Sequence, residues 1–367
     1  MMPEISKETS NEISRRNANS DLRIDYKKFI GRKILFMILL VAGIILLGGY
    51  ATTQGSAELS VIEVYSTIGA KFFPGAFETN WFSEQVVWGL RLHRIFMAIV
   101  GGIGLAIAGS VMQGILKNPL ASPFTLGISS AAGFGASLAM IMGAGFVGGE
   151  YLVIGNAFIF TFVASLVVLG LAKYKGISSE TLILAGIAVN YIFSAMTSFL
   201  QYLGDADQVQ GVVFWMMGSL GRSDWSKASI VAGIILLCFP YLLLRSWDIN
   251  AIGTGDESAK SLGVNVERTR VTCMMLVSII VACIVCFTGT IGFIGLVSPH
   301  LTRMIIGGDH RFLMPASALV GALLLLGADT VARTILSPVI LPVGIMTSFI
   351  GVPFFIYLFM RKKKELF

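Results

Sequence analysis

Three arginines flank apolar sequence in places where such residues are usually sparse. Arg91 and Arg94 stand three apart just before a long apolar run, and Arg333 follows Asp329 by four residues. A guanidinium stays charged and offers five donors in a rigid fork, so these positions suit carboxylate recognition, within the chain or on a partner. Asp329 and Arg333 also have the spacing of an i,i+4 ion pair. Ser178 and Ser179 precede another apolar run with Glu180 beside them, a pattern that fits a helix cap. Gly255, Asp256, Glu257, Ala259, Leu262 and Gly263 lie in one polar segment, and its Ser258–Gly263 part reads as a short amphipathic helix stopped by Gly263. Cys283 and Cys286 are three apart in apolar sequence, and two thiolates there would be costly, so they read as packing residues. His300 follows Pro299 and reads as a hydrogen-bonding partner for a neighbouring helix. No nucleophile–base set and no metal constellation emerges, and no G-x-x-x-x-G-K-[ST] loop is present. The chain is therefore expected to be non-enzymatic and without a cofactor.

The elements that must hold these residues are membrane helices. Of 367 residues, 55% are hydrophobic and 13% charged, about half the charge of an ordinary soluble domain. With a mean hydropathy of +0.80, too little polar surface remains to cover a soluble globule. A soluble enzyme, a disordered chain and a fibrous protein are excluded. The net charge of +6 is read by position, as a marker of membrane orientation and not of nucleic-acid binding.

A crossing helix needs about 20 apolar residues. Residues 1–33 carry eight Lys/Arg against five Asp/Glu and read as a polar cytosolic tail. Ten spans follow across 34–361: Ile34–Thr53, Leu92–Leu116, Ser122–Val147, Leu152–Ala172, Thr181–Leu203, Ala228–Leu244, Val271–Thr290, Ile291–Ile306, Leu313–Ala332 and Leu341–Met360. Gln54–Leu90 and Ser246–Arg270 are polar intervals, 208–224 is a connection, and 362–367 is a basic cytosolic end. An even number puts both termini on one side. With that side cytosolic, 21 of the 27 Lys/Arg face the cytosol, leaving Lys71, Arg91, Arg94, Arg222, Lys227 and Arg333 outside. The fold class is all-α and polytopic.

Forty-one glycines are many for helices, and in a membrane small residues allow close approach, as Gly145-x-x-x-Gly149 and Ser129-x-x-x-Gly133 suggest. Gly289–Gly295, Pro299 and Pro338–Pro342 look like helix breaks, which inside a bundle usually line a cavity. Mid-span ionisable groups are almost confined to Asp329 and His300, so the energy for transport is expected to come from outside this chain. The sixteen methionines are scattered and read as packing.

Three motifs, in order, carry a family resemblance. The first is Arg91-x-x-Arg94, with Gly109 to Gly114, Lys117-Asn118-Pro119 and Leu126-Gly127. The second is Gly255-Asp256-Glu257 to Leu262-Gly263-Val264. The third runs from Gly292 through Pro299-His300, Gly308-Asp309-His310-Arg311 and Ala328-Asp329-x-x-Ala332-Arg333 to Leu341-Pro342-x-Gly344. Together they resemble the iron-siderophore, haem and vitamin B12 permease family of ATP-binding-cassette importers, over about residues 34–361. The resemblance implies ten helices per subunit, pairing with a second permease subunit as homodimer or heterodimer, two cytosolic ATPase subunits and an extracytoplasmic binding protein. It implies further that Arg91, Arg94 and Arg333 dock the binding protein, and that the segment within 254–264 is the coupling helix seated in the ATPase. Ser178 and Ser179 fall at the inner gate. Asn190 and Gln201 are candidate pathway residues. His93 stands where the family commonly has proline. An iron-siderophore is the first expected substrate, with haem or cobalamin as others, moved by alternating access. The competing class is a stand-alone secondary carrier or channel, which leaves Gly255–Val264 unexplained.

Overall fold

A computed structural model describes residues 30–360 except 56 and 58. The expected basic end at 362–367, and all of the tail before residue 30, lie outside those residues. Every regular element among the described residues is helical. In chain order we label α1 (Ile30–Thr53), α2 (Val61–Phe72), α3 (Trp81–Ile115), α4 (Ile128–Met142), α5 (Leu152–Lys175) and α6 (Ser179–Leu203). There follow α7 (Ala206–Met216), α8 (Trp225–Leu244), α9 (Ser246–Gly253), α10 (Asp256–Ser261) and α11 (Val266–Thr288). The last three are α12 (Ile294–Ile306), α13 (His310–Thr334) and α14 (Val343–Met360). Seven of these (α1, α3, α5, α6, α8, α11 and α13) are long and apolar enough to cross a membrane, α5 counted together with the short turn before it. The helices α4, α12 and α14 are shorter apolar ones.

Several expected boundaries moved. The expected polar interval Gln54–Leu90 contains α2 and the start of α3. Ser60 caps α2 by accepting from the Glu63 amide while the Glu63 carboxylate takes the Ser60 amide. The expected span Ser122–Val147 keeps only fifteen helical residues, because Pro123 opens a tight turn and Gly143, at φ 61°, ends the helix. Gly145 therefore lies in a loop, and Gly145-x-x-x-Gly149 is no helix–helix stripe. The connection 208–224 contains most of α7, capped by Asp205. The span expected from Val271 starts five residues earlier, where Asn265 accepts from the Arg268 amide, and this brings Arg270 inside the bundle.

The post of the fold is α3. It is apolar around its whole circumference and is buried accordingly, with Met97, Leu105, Ile107, Met112 and Ile115 closed to solvent. It packs on α11, α12 and α13. Two of its crossings bring backbone against backbone: Gly102 meets Gly321 of α13, and Gly109 meets Gly295 of α12, with no room for a Cβ at either. Little of the outlying α1 is buried, as a helix at the lipid face can be. Many hydroxyls inside helices find local acceptors, since lipid offers none, although among the described residues Ser110, Thr161, Ser298 and Ser317 have none. Thr52, Ser137, Thr197, Ser278, Thr288, Thr302 and Thr330 each donate to the carbonyl four residues back.

Candidate functional site

The polar groups of the fold gather at the two ends of α3. At its amino end a π-helical turn, Val87–Leu92, sets Arg91 inward, where it donates to the carbonyls of Thr52 (2.8 Å) and Ala57 (2.6 Å). One turn on, Arg94 grips Asp329 of α13 through Nε and Nη2 at 2.8–3.1 Å. Arg333 reaches the same carboxylate at 3.1 Å and donates to the carbonyls of Ala51 and Gln54. Asp329 is closed to solvent, and the three arginines are 4–7% exposed. The i,i+4 pair expected of Asp329 and Arg333 is present, but the carboxylate is shared with Arg94, 235 positions away. That partnership has no local signal in the sequence. Beside it Trp225 donates to the Trp88 carbonyl at 3.0 Å, and the two indoles lie 6.1 Å apart. His93 continues the helix and hydrogen-bonds the Gly89 carbonyl.

At the other end of α3, the expected short helix forms as α10 but starts two residues earlier than expected, at Asp256, and gives way to Gly263 at φ 84°. Ala259 is its buried contact, while Glu257, Lys260 and Leu262 face outward. Asp256, at its first position, takes a fork from Arg270 (2.7 and 2.9 Å) and Lys117 Nζ at 3.0 Å. Partial burial pushes the Asp256 carboxyl up. The hydrogen bonds and charges of Arg270 and Lys117 outweigh this and hold it below the usual aspartate value. The other Arg270 donors reach Ile115 O (3.0 Å), Ile177 O (3.2 Å) and Ser179 Oγ (3.3 Å). Ser178 caps α6 as expected, but its partner in the capping box is Thr181 and not Glu180. Sequence reasoning counted Arg270 only as a loop charge. Its true place follows from the earlier start of α11, for which the Asn265 cap was the available signal.

Near the same end, Asp309 caps α13, bonds Arg311 and accepts from Asn250 at 2.8 Å. Burial pushes this carboxyl up, but Arg311 and Asn250 overcome it and bring it down to about 2. A carboxyl depressed in the folded state stabilises above its unfolded value and loses that contribution as pH falls through the folded one. The expected result is a wild-type advantage in melting temperature over Asp309→Asn that holds from neutral pH to about 5. It should fade between about pH 4 and about pH 2. Melting curves of the two proteins in detergent check this.

Of the expected breaks, the Gly289–Gly295 stretch lines a cavity, whereas Pro299 lies inside α12 and Pro338–Pro342 is not among the lining residues. Thr290 and Gly292 between α11 and α12, Gly344 and Ser348 of α14, and Met216 and Met217 around the end of α7 enclose about 620 Å³. Its surface is mostly apolar. Asn190 does not reach it among the lining residues; its Oδ1 accepts from Ser130 Oγ at 2.8 Å, and Gly127 packs on its backbone. Gln201 is half-buried on the same helix, α6. Cys283 and Cys286 are buried, with Cys286 Sγ 3.2 Å from the Cys283 carbonyl. Among the described residues, neither buried ring nitrogen of His300 has a hydrogen-bond partner, and the ring packs edge-on to Phe354.

Known proteins resemble this chain. A Methanocaldococcus jannaschii protein, provisionally named an ABC transporter permease, is 44% identical over 354 residues, covering 94% of this chain and 99% of its own. The hemin transport system permease protein of Yersinia pestis is 37% identical, covering 94% of this chain and 98% of its own. A solved structure, described as an inward-facing conformation of an ABC transporter assigned to the metal-chelate type, superposes with a TM-score of 0.76 at 32% identity. It covers 90% of this chain and 99% of that one. The model of the FecCD transport family matches residues 34–361. With both charge clusters, the α10 helix and the broken-helix cavity inside that matched range, the chain belongs to the FecCD transport family, the membrane permease subunits of ABC importers.

Proposed function

We propose that this chain is the permease of an importer for an iron chelate, an iron-siderophore first and haem or cobalamin otherwise, working by alternating access. The observation that carries the reading is α10: a short helix with an outward Leu262 and Glu257, fixed to the bundle through a buried arginine. A rigid projecting helix can pass on a displacement that a loop would absorb. The haem relative and the metal-chelate-type structure support the substrate class. Supporting ten crossings are seven long apolar helices and three shorter ones, with residues 1–33 and 362–367 as cytosolic ends to the 34–361 permease domain. In this topology the α10 end faces the cytosol and the Arg91 end faces outward.

The partners are those that the family resemblance implies. Two ATPase subunits receive the residues Gly255 to Gly263, and a second permease subunit completes the pathway, with Ser178 and Ser179 at its inner gate. Asn190 and Gln201 belong to the pathway side of α6. Arg91, Arg94 and Arg333 form the docking end for a binding protein. Among the described residues their cluster sets three guanidinium charges against the one Asp329 carboxylate, which leaves a positive field for acidic lobes. No nucleic acid is involved.

Reconstituted uptake with the cognate ATPase and binding protein, offering iron-siderophore, haem and cobalamin in parallel, tests the reading. ATP-dependent uptake of one of them, lost without the ATPase, is the expected result. Uptake that persists without the ATPase or follows an ion gradient overturns it in favour of a stand-alone carrier.

A further inference from the structure

Arg270 is among the largest side chains in the molecule that are fully closed to solvent. It makes five hydrogen bonds, which matches the five N–H groups of a guanidinium. Its partners come from three separate stretches of chain: Asp256 begins α10, Ile115 ends α3, and Ile177 and Ser179 belong to the turn that leads into α6. Lys117, just past α3, joins from the solvent side through Asp256. Apart from Arg270 and Lys117, no other described charge pairs with Asp256.

We infer that Arg270 is the positioning residue that makes α10 and the Ile177–Ser179 turn move as one body, so that a displacement of α10 is delivered to the gate. The Arg270 guanidinium is itself closed to solvent, although Asp256 is partly exposed, so a charged donor left unmet there costs well over an ordinary hydrogen bond. Separating α10 from the α6 start would break at least one arm of the fork. Those two segments therefore share each displacement, while the apolar contact of α10, chiefly Ala259 against Ile252 and Val266, could slide. A lysine would keep the charge but, as a point donor, could not span Asp256, Ile177 and Ser179 together. Arg270 acts through the segments it binds.

This inference rests on the reading of the chain as an ATP-driven permease, and the test separates the two. Uptake and ATP hydrolysis are measured together on the full complex in liposomes for wild type, Arg270→Lys, Asp256→Asn and Ser179→Ala. A merely structural role lowers both rates with the amount of folded complex and leaves their ratio unchanged. We expect the substrate moved per ATP to fall about tenfold in Arg270→Lys and Asp256→Asn, and less in Ser179→Ala, while the ATPase still co-purifies. An unchanged ratio overturns the inference while leaving the importer reading intact. Absence of ATP-dependent uptake in wild type overturns both.

A second readout needs no partner. The native cysteines among the described residues are all buried, so spin labels can be directed to Lys260→Cys on α10 and Glu180→Cys on α6. A single narrow distance that broadens with Arg270→Lys, or with Asp256→Asn should the lysine variant not fold, is expected. A distribution indifferent to both substitutions overturns the inference.

Discussion

Replacing Asp329 by Asn is expected to destabilise the protein by about 3–5 kcal/mol, the range for removing one member of a buried ion pair. The carboxylate is closed to solvent and held by Arg94 and Arg333, which are themselves nearly closed. An amide of the same shape keeps the packing but leaves two guanidinium charges facing each other without an anion between them. Arg94→Ala removes one of those charges along with one partner, so the double variant Asp329→Asn/Arg94→Ala should recover part of the loss. Melting temperatures in detergent and the yield of monodisperse protein report the outcome. A loss below about 1 kcal/mol would mean that the cluster is wet and weakly coupled.

The second large effect belongs to Gly109. A Cβ there would overlap the carbonyl of Gly295, which is backbone and cannot rotate away. Even Gly109→Ala must push α12 off α3, and overpacking of this kind costs about 1–3 kcal/mol or more. Gly170, on an exposed face of α5 with open space around it, is the control. In Gly170→Ala no loss is expected, because Ala is the better helix former by about 1 kcal/mol. Side-by-side thermal denaturation of the two variants decides the matter. Equal behaviour would show that the α3–α12 crossing is looser than its geometry implies.

What the sequence revealed divides along physical lines. The seven long spans were legible, because a long apolar run has few other uses. Helix ends were less so, since they depend on single caps such as Asn265 and single stops such as Gly143. The α10 segment was readable because its signal is local: a short amphipathic run closed by Gly263. The roles of Arg270 and Arg94 were hidden for the opposite reason. Their partners lie 155 and 235 positions away, and only the fold brings Ile115 and Asp329 to them. Arg91 and Arg333 stood out as arginines in an unexpected place, but the sequence held no sign that backbone carbonyls of the α1 end would occupy them.

The aromatic contact at the Arg91 end has an optical consequence. Indole emission shifts and quenches with its immediate surroundings, and Trp88 and Trp225 each serve as surroundings for the other, on helices α3 and α8. At the far end of the molecule Trp247 lies under the Arg311 guanidinium at 4.0 Å. The chain thus carries a natural fluorophore at each end. With the five tryptophans reduced to one pair or to one residue, rearrangements of the two ends could be followed separately in the intact protein, with no dye attached.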